Sequence, residues 1–395
     1  MSDSAIKKLS VLIGIGFVDM LGLAMIFPLL PYYALRLHAT PFVIGWMIAS
    51  FSIAQMASAP LWGRVSDHFG RRPALLIGLT SSAIAFLVFG FATSIWMLFL
   101  SRIIQGAGGG TTGVAQAYIG DAVEPRERAK ALGWLSAATS AGVMIGPAVG
   151  SLTTNLGYAA PGIIAAGICV VNIFLAWRWL PETNVRASRT STDGPHPARR
   201  SVWSVLGEVV LQPNGDTSKL IWIYTTGMLG FMSFTAVFAL FLDQAYGVTE
   251  KSIGYFFVYN GLVGVVMRAV LLGRLVDRFG EVPLMRAGTL SLMVGLATLP
   301  LVHGVWAVAA VMGLIPVGTA LLFPATTALV THRAPAHERG QVLGVQQTFG
   351  GVSRVVAPIW ATAVFEVGAR LPFFIAAGVV AGVGMLTWTV RREAR

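Results

Sequence analysis

The sequence is short of charge. Lys, Arg, Asp and Glu together supply 11% of its 395 residues, where a soluble domain carries about 25%. Acids are the scarcer sign, 17 against 28 bases. Cysteine occurs once, as Cys169 inside an apolar run, which excludes a disulfide framework and a thiolate metal site. No metal-ligand cluster, Gly-x-Ser-x-Gly or phosphate-binding glycine loop is present. The enzyme classes those motifs announce therefore find no support, and no cofactor or metal is implied. No small-residue cleavage site precedes the first apolar segment, which reads as a retained helix rather than a signal peptide.

Apolar residues, by contrast, make up 55% of the chain, and mean hydropathy is +0.72. Apolar stretches of roughly 20 residues recur from end to end, as membrane-spanning helices require. The expected fold is an all-α integral membrane protein with twelve spans. They fall at about 8–33, 42–62, 73–93, 96–118, 130–153 and 159–180, then at about 219–242, 251–272, 283–302, 305–330, 341–365 and 371–390. Between the sixes lies a linker, 181–218, rich in Pro, Ser, Asp, Arg and Gly. Within it, Val202-Trp203, Val205-Leu206 and Val209-Val210 suit a short helix lying on the membrane surface.

The net charge of +11 raises the question of nucleic acid, but the cations flank apolar segments and form no aromatic-interleaved patch. The positive-inside rule accounts for them better. With both termini placed inside, Arg36, Lys251 and Arg370 fall outside and Arg102, Arg268 and Arg354 fall within spans. The other 22 of the 28 Lys and Arg lie inside or at that membrane edge. The expected location is a cell membrane, multi-pass, with cytoplasmic termini.

The chain repeats itself at half its length. Gly63-Arg-Val-Ser-Asp67-His-Phe-Gly70-Arg71-Arg72 recurs, weakened, as Gly273-Arg-Leu-Val-Asp277-Arg-Phe-Gly280, 210 residues on. Glu127-Arg128 matches Glu338-Arg339, Leu132-Gly133 matches Leu343-Gly344 and Pro147 matches Pro358, each offset by 211. Two six-span halves, 1–180 and 219–395, are expected, related by an axis along the membrane normal. That arrangement puts a cavity between the halves and supports alternating access.

These motifs carry a resemblance. Gly63, Asp67, Gly70, Arg71 and Arg72 sit as in the loop between the second and third helices of the major facilitator superfamily. Leu100-Ser-Arg102-Ile-Ile-Gln105-Gly106 resembles that family's fourth-helix motif. Gly133, Gly142, Gly146-Pro147 and Gly150 resemble the fifth-helix pattern of its drug:proton antiporter branch, with Ser151 where a last glycine is usual. Asp19 followed by Pro28 and Pro31 is similar to the first helix of the tetracycline exporters. Those exporters carry further acids in helices 3 and 9; here span 3 has none and span 9 has Arg286, which argues against tetracycline and any metal-chelated cargo.

The resemblance implies a cytoplasmic latch through Asp67, Arg71 and Arg72, with Asp121 as a further partner and Asp277 as a weaker copy. Topological anchoring alone is the alternative reading of the arginines. Asp19 is the one acid clearly inside a span; it reads either as the proton carrier or as a structural acid bonded to neighbouring helices. Arg102, well inside span 4, would cost on the order of 2.5–3.5 kcal/mol if left facing lipid. It reads as part of proton coupling, by resemblance, or as a snorkelling side chain. The helix 5 glycines suit close packing near the interface of the halves. Tyr32, Gln55, Gln116, Asn172, Tyr224, Phe234, Tyr255, Tyr259, Asn260, Gln346 and Gln347 are candidate cavity residues, together with Arg354. Any one of them also suits an interhelical hydrogen bond.

The expectation is a monomeric secondary transporter that exchanges lipophilic compounds for protons, surrounded by lipid and without nucleic-acid partners. A metabolite symporter or uniporter of the same fold is the first rival, and a membrane enzyme or channel the second.

Overall fold

The computed structural model describes residues 3–182, 202–335 and 338–390. Of the expected linker, 183–201 lies outside the described residues. The regular elements among them are all helical. In chain order they are α1 (Asp3–Ile26), α2 (Leu30–Arg36), α3 (Pro41–Phe69), α4 (Arg71–Gly90), α5 (Ile95–Ala107), α6 (Thr111–Ala122), α7 (Arg128–Thr153), α8 (Ala160–Trp179) and α9 (Val202–Leu211). There follow α10 (Asp216–Tyr246), α11 (Ile253–Val266), α12 (Leu272–Phe279), α13 (Glu281–Thr298), α14 (Val305–Met312), α15 (Leu314–Arg333), α16 (Arg339–Val367), α17 (Leu371–Gly384) and α18 (Leu386–Thr389).

Eleven helical runs among the described residues, some with a short break, are long and apolar enough to cross a bilayer. The twelfth span, expected as one helix over 96–118, is two: α5 and α6 flank Gly108-Gly109-Gly110. Each glycine costs a helix about 1 kcal/mol relative to alanine. Each also lies against a neighbour: a Cβ would come within 2.5 Å of Ser81 at Gly108 and within 2.3 Å of Trp62 at Gly110. The first span breaks at Phe27–Leu29, where Pro28 supplies no backbone N–H.

The polar decapeptide 63–72 is not a loop. α3 runs on to Phe69, so Gly63 and Asp67 are helical, and α4 starts at Arg71. The whole turn is Gly70, at φ 104°, a conformation open to glycine and strained for other residues. The second copy is built the same way: α12 ends at Phe279, Gly280 turns at φ 78°, and α13 follows. The helices outlast their apolar stretches because a helix's internal hydrogen bonds hold in water as well as in lipid. Span 8 also contains one π turn, Met267–Leu271, which carries an exposed Arg268.

The described chain forms two compact units. One holds the residues up to 182 with Val248–Val258; the other holds 202–247 and Tyr259 onward. In the first, α1 packs along α7, α4 along α8, and α3 along α5. The α4–α8 contact is close enough that a Cβ at Gly162 would lie 2.5 Å from the Gly90 Cα. In the second, α13 packs along α15 and α10 along α16. Here Gly288 and Gly318 face each other, a Cβ on either coming within 3 Å of the other's carbonyl oxygen. Small residues that let backbones approach are the usual device of helix packing in lipid, where no hydrophobic effect drives association. The short α9 turns Val205 and Val209 inward against α10 and α16, and Trp222 donates to the Val209 carbonyl at 3.1 Å.

Candidate functional site

Asp19 sits on α1 in the heart of the first unit and is nine-tenths buried. The break between α5 and α6 positions its partner. Thr111 is the first residue of α6, and its hydroxyl donates to Asp19 Oδ2 at 2.7 Å. A hydroxyl at the start of a half-helix lies where the helix's partial positive charge favours an anion. Beside this bond lies a cavity of about 40 Å³, lined among others by Asp19, Gln55, Ser82, Gln105, Gly109 and Thr111. Gln55 reaches the Gly109 carbonyl through a long contact of 3.4 Å. A cavity that size holds a water or two, so the buried carboxylate has a polar space to exchange with.

Arg102 is 2% exposed but does not pair with Asp19. Among the described residues its guanidinium hydrogen-bonds to Ser101, at 3.3 and 3.4 Å, and lies 5.8 Å over the Phe89 ring. Phe89 stacks on Tyr33 at 4.5 Å, Tyr33 on Tyr158 at 4.2 Å, and Arg36 lies 5.4 Å over Tyr158. Three stacked rings thus separate two guanidinium groups, the outer of which forms an ion pair with Glu250. Aromatic faces attract cations, so the column places a ring face beside the buried Arg102 guanidinium.

The polar turn gathers the groups the repeat singled out. Arg71 donates to Asp67 Oδ1 at 2.8 Å, to Ser66 at 2.7 Å and to Asp121 Oδ2 at 2.9 Å. Three acceptors fix one guanidinium, bringing the end of α3, the start of α4 and the end of α6 together. Glu182 was not anticipated. Its carboxylate accepts the backbone N–H of Arg71 at 2.9 Å and of Arg72 at 3.2 Å, capping α4 with a charge of the favourable sign. A Cβ at Gly70 would fall 2.5 Å from that carboxylate, so Gly70 is fixed by space as well as by φ. Arg72 donates instead to the Trp177 carbonyl near the end of α8. Arg286 plays the same part in the second unit, donating to the carbonyls of Thr387, Trp388 and Val390 and lying over the Trp388 ring. It occupies the place of an expected acid as a clamp on the end of α18. Asp277 is exposed near the end of α12.

The glycine motif of α7 faces α1. A Cβ at Gly142 would lie 2.4 Å from the Phe17 carbonyl oxygen, at Gly146 2.7 Å from that of Leu21, and at Gly150 2.2 Å from that of Met25. These three glycines pack on α1, while Pro147 of the same motif lies against Gly254 of α11, where a Cβ would come 2.3 Å from the Pro147 carbonyl oxygen. Gly133, counted in the same motif, has nothing within 4 Å. On the next face of α7, Ser151 accepts the backbone N–H of Gly254 at 2.9 Å. That N–H belongs to the first turn of α11, which has no intrahelical partner for it. Ser151→Ala is expected to cost about 1 kcal/mol and to speed hydrogen exchange at the Gly254 amide; exchange no faster than in the wild type would mean the bond carries no weight.

The remaining sequence candidates divide. Asn172 is buried and donates to the Ile15 carbonyl at 3.2 Å, Gln346 donates to Thr327 at 3.0 Å, and Tyr32 donates to the Val248 carbonyl at 2.9 Å. The first two are helix-to-helix bonds, and the third ties α2 to the segment between α10 and α11. Gln116 and Tyr255 are exposed, and Tyr259 and Asn260 lie along α11. In the second unit Tyr224 packs on Phe323 at 5.2 Å with Gln347 and Arg354 about its hydroxyl. Phe234 packs on Phe238 at 4.6 Å. Sequence reasoning missed Thr111, Ser82 and Gln105 at the acid and Tyr33 and Tyr158 in the column. Only the triple glycine hinted that span 4 opens beside Asp19.

A helical membrane chain of two six-span halves, with a buried acid beside a broken helix, has the architecture of a membrane transporter. The family model of the Major Facilitator Superfamily matches residues 12–271 and 220–395, and the chain belongs to that family. It is 28% identical to multidrug resistance protein 1 of Bacillus subtilis over 91% of this chain and 90% of that protein. It is 27% identical to the class B tetracycline resistance protein of Escherichia coli over 87% and 85% respectively. A solved bacterial homologue of the human lysosomal transporter Spinster superimposes with a TM-score of 0.79 over 99% of this chain and 97% of its own, at 12% identity, a likeness of fold alone.

Proposed function

We propose that the protein exports lipophilic, drug-like compounds across a cell membrane in exchange for protons. The observation that carries this reading is the carboxylate of Asp19, nine-tenths buried and held by Thr111 beside a small polar cavity. It is a group able to take up a proton or release it as its surroundings change. The multidrug and tetracycline resistance proteins among the relatives support the class of cargo.

In this reading the halves 1–180 and 219–395 alternate access to a shared site, joined by the linker 181–218, and both termini are cytoplasmic. The chain works as a monomer in contact with lipid. Arg71, gripped by Asp67 and Asp121, is the cytoplasmic gate, with Asp277 as its counterpart in the second half. A two-state transporter needs contacts that differ between its states. Arg102 supports the proton path by keeping a positive field near α5. Gln55 and Gln116, with Tyr255, Tyr259, Asn260, Gln346 and Arg354, belong to the cargo route. The glycine motif of α7 keeps α1, and so Asp19, close to the rest of its bundle.

Cells producing the protein are expected to expel a fluorescent lipophilic cation, and a protonophore is expected to stop them. Arg71→Ala is expected to abolish this efflux while changing stability by only about 1 kcal/mol, since the Asp67 carboxylate is half-exposed and such pairs contribute little. Efflux that survives the protonophore would reject proton exchange, and full efflux by Arg71→Ala would reject the gate.

A further inference from the structure

The interiors of the second unit's spans hold charge of one sign only. From α10 to α18 every acid lies in a connection or near the end of a helical run. Arg268 and Arg354, by contrast, lie near the middle of theirs, Ile253–Phe279 and Arg339–Val367. No carboxylate pairs with either among the described residues. A cation held in mid-membrane without a counter-charge costs on the order of 2.5–3.5 kcal/mol. A guanidinium at the middle of a span is about 15 Å from either edge of the hydrocarbon core, beyond the reach of its own side chain. Arg354 therefore does not escape that cost by snorkelling.

Its surroundings are built for a ligand rather than for lipid. Gly344, Gln347, Gly351 and Arg354 follow one another at spacings of three and four along α16, the first two exposed and the others half-buried. The exposed Val352 and Val356 lie on a different stripe. A face of glutamine and arginine is turned to water or cargo, since lipid satisfies neither. Beside it on α10, Tyr224 has Gln347 and Arg354 about its hydroxyl and packs its ring on Phe323 at 5.2 Å. Phe231 lies 6.5 Å from Phe323, and both phenylalanines are half-buried. The register of α10 on α16 is fixed at this point. Ser353 donates to the Thr225 carbonyl at 2.9 Å, and a Cβ at Gly350 would come 3.0 Å from the Tyr224 ring.

We infer that Arg354, Tyr224 and Gln347 form a subsite for the carboxylate of an aromatic cargo, an inference that deepens the export reading and rests on it. A guanidinium binds a carboxylate through two parallel N–H bonds. The phenol and the amide beside it add further donors. The half-buried Phe231 and Phe323 rings supply the apolar wall that an aromatic body needs next to its polar group. Arg268 adds a second positive charge to the same unit. A carboxylate relieves the uncompensated cation, whereas a neutral compound of the same shape leaves it as it was. The cargo thus extends to lipophilic acids.

The test compares pyrenebutyrate with its methyl ester, which keeps the rings and loses the charge. Binding of each to the purified full-length protein in detergent is measured by equilibrium dialysis against protein-free micelles. Wild type is expected to prefer the acid over the ester about tenfold or more, equal to about 1.4 kcal/mol. Arg354→Gln should lose that preference. Arg354→Lys, which keeps the charge without the fork, should retain part of it and guards against misfolding of the glutamine variant. No preference in wild type, or an undiminished one in both variants, overturns the inference. Protonophore-sensitive efflux of a lipophilic cation by cells producing the wild type separates the outcomes: efflux without a preference for the acid removes the carboxylate subsite alone, and the loss of both removes the export reading as well.

Discussion

Asp19→Asn is expected to abolish drug-induced proton release while leaving the protein folded and able to bind drug. Asparagine has nearly the volume of aspartate, and its side-chain oxygen can still accept the hydrogen bond from Thr111 that now measures 2.7 Å. What it cannot do is hold a titrating proton. Asp19 is the acid that span 1 places within the first unit, and Arg102 is not paired with it, so nearby groups offer no ready substitute. The measurement is the pH change in a weakly buffered detergent solution on adding a lipophilic drug, for wild type and variant side by side. Release from wild type with none from the variant is the expected result. Equal release from both would make Asp19 a structural acid and move coupling elsewhere, with Asp121 or Glu366 next to be tested.

Gly150→Ala is expected to destabilise the protein sharply, and Gly133→Ala hardly at all. Both positions belong to one sequence motif on α7, but they differ in surroundings. A methyl at Gly150 would sit 2.2 Å from the Met25 carbonyl oxygen, and backbone cannot swing aside as a flexible side chain would. α1 and α7 would have to separate along their length, opening the contacts at Gly142 and Gly146 too. Overpacking in a well-filled interior costs about 1–3 kcal/mol, and the upper end is expected here. Gly133 has nothing within 4 Å, and alanine there gains up to about 1 kcal/mol in helix propensity. Thermal unfolding of the two purified variants separates them. Equal losses would show that the motif acts through something other than the packing of α7 on α1.

The spans were legible because lipid demands long apolar helices and the repeat at half-length divides them into two sets of six. The polar turn was legible as a motif but not as a structure. Charged residues between apolar runs read as a loop, whereas α3 and α12 carry their helices through Asp67 and Asp277 and turn only at Gly70 and Gly280. The break in span 4 was hidden in the same way, since three glycines do not interrupt hydropathy as they interrupt a helix. The acid itself stood out because carboxylates are rare within spans. Its surroundings did not, since Ser82, Gln105 and Thr111 are ordinary polar residues until tertiary packing brings α4, α5 and α6 around α1. The arginines show the same limit. Their types and depths were plain, but their partners depend on folding: aromatic rings for Arg102 and the end of α18 for Arg286.

Proton-driven export is tested most directly in sealed proteoliposomes containing the wild-type protein, by imposing a pH gradient and following a fluorescent lipophilic cation. The expected result is accumulation of the dye against its own gradient in the acidic interior, in excess of protein-free liposomes and collapsing when a protonophore is added. Dye that equilibrates at the same rate and to the same level with and without the gradient would contradict proton exchange and leave a facilitator of passive movement in its place.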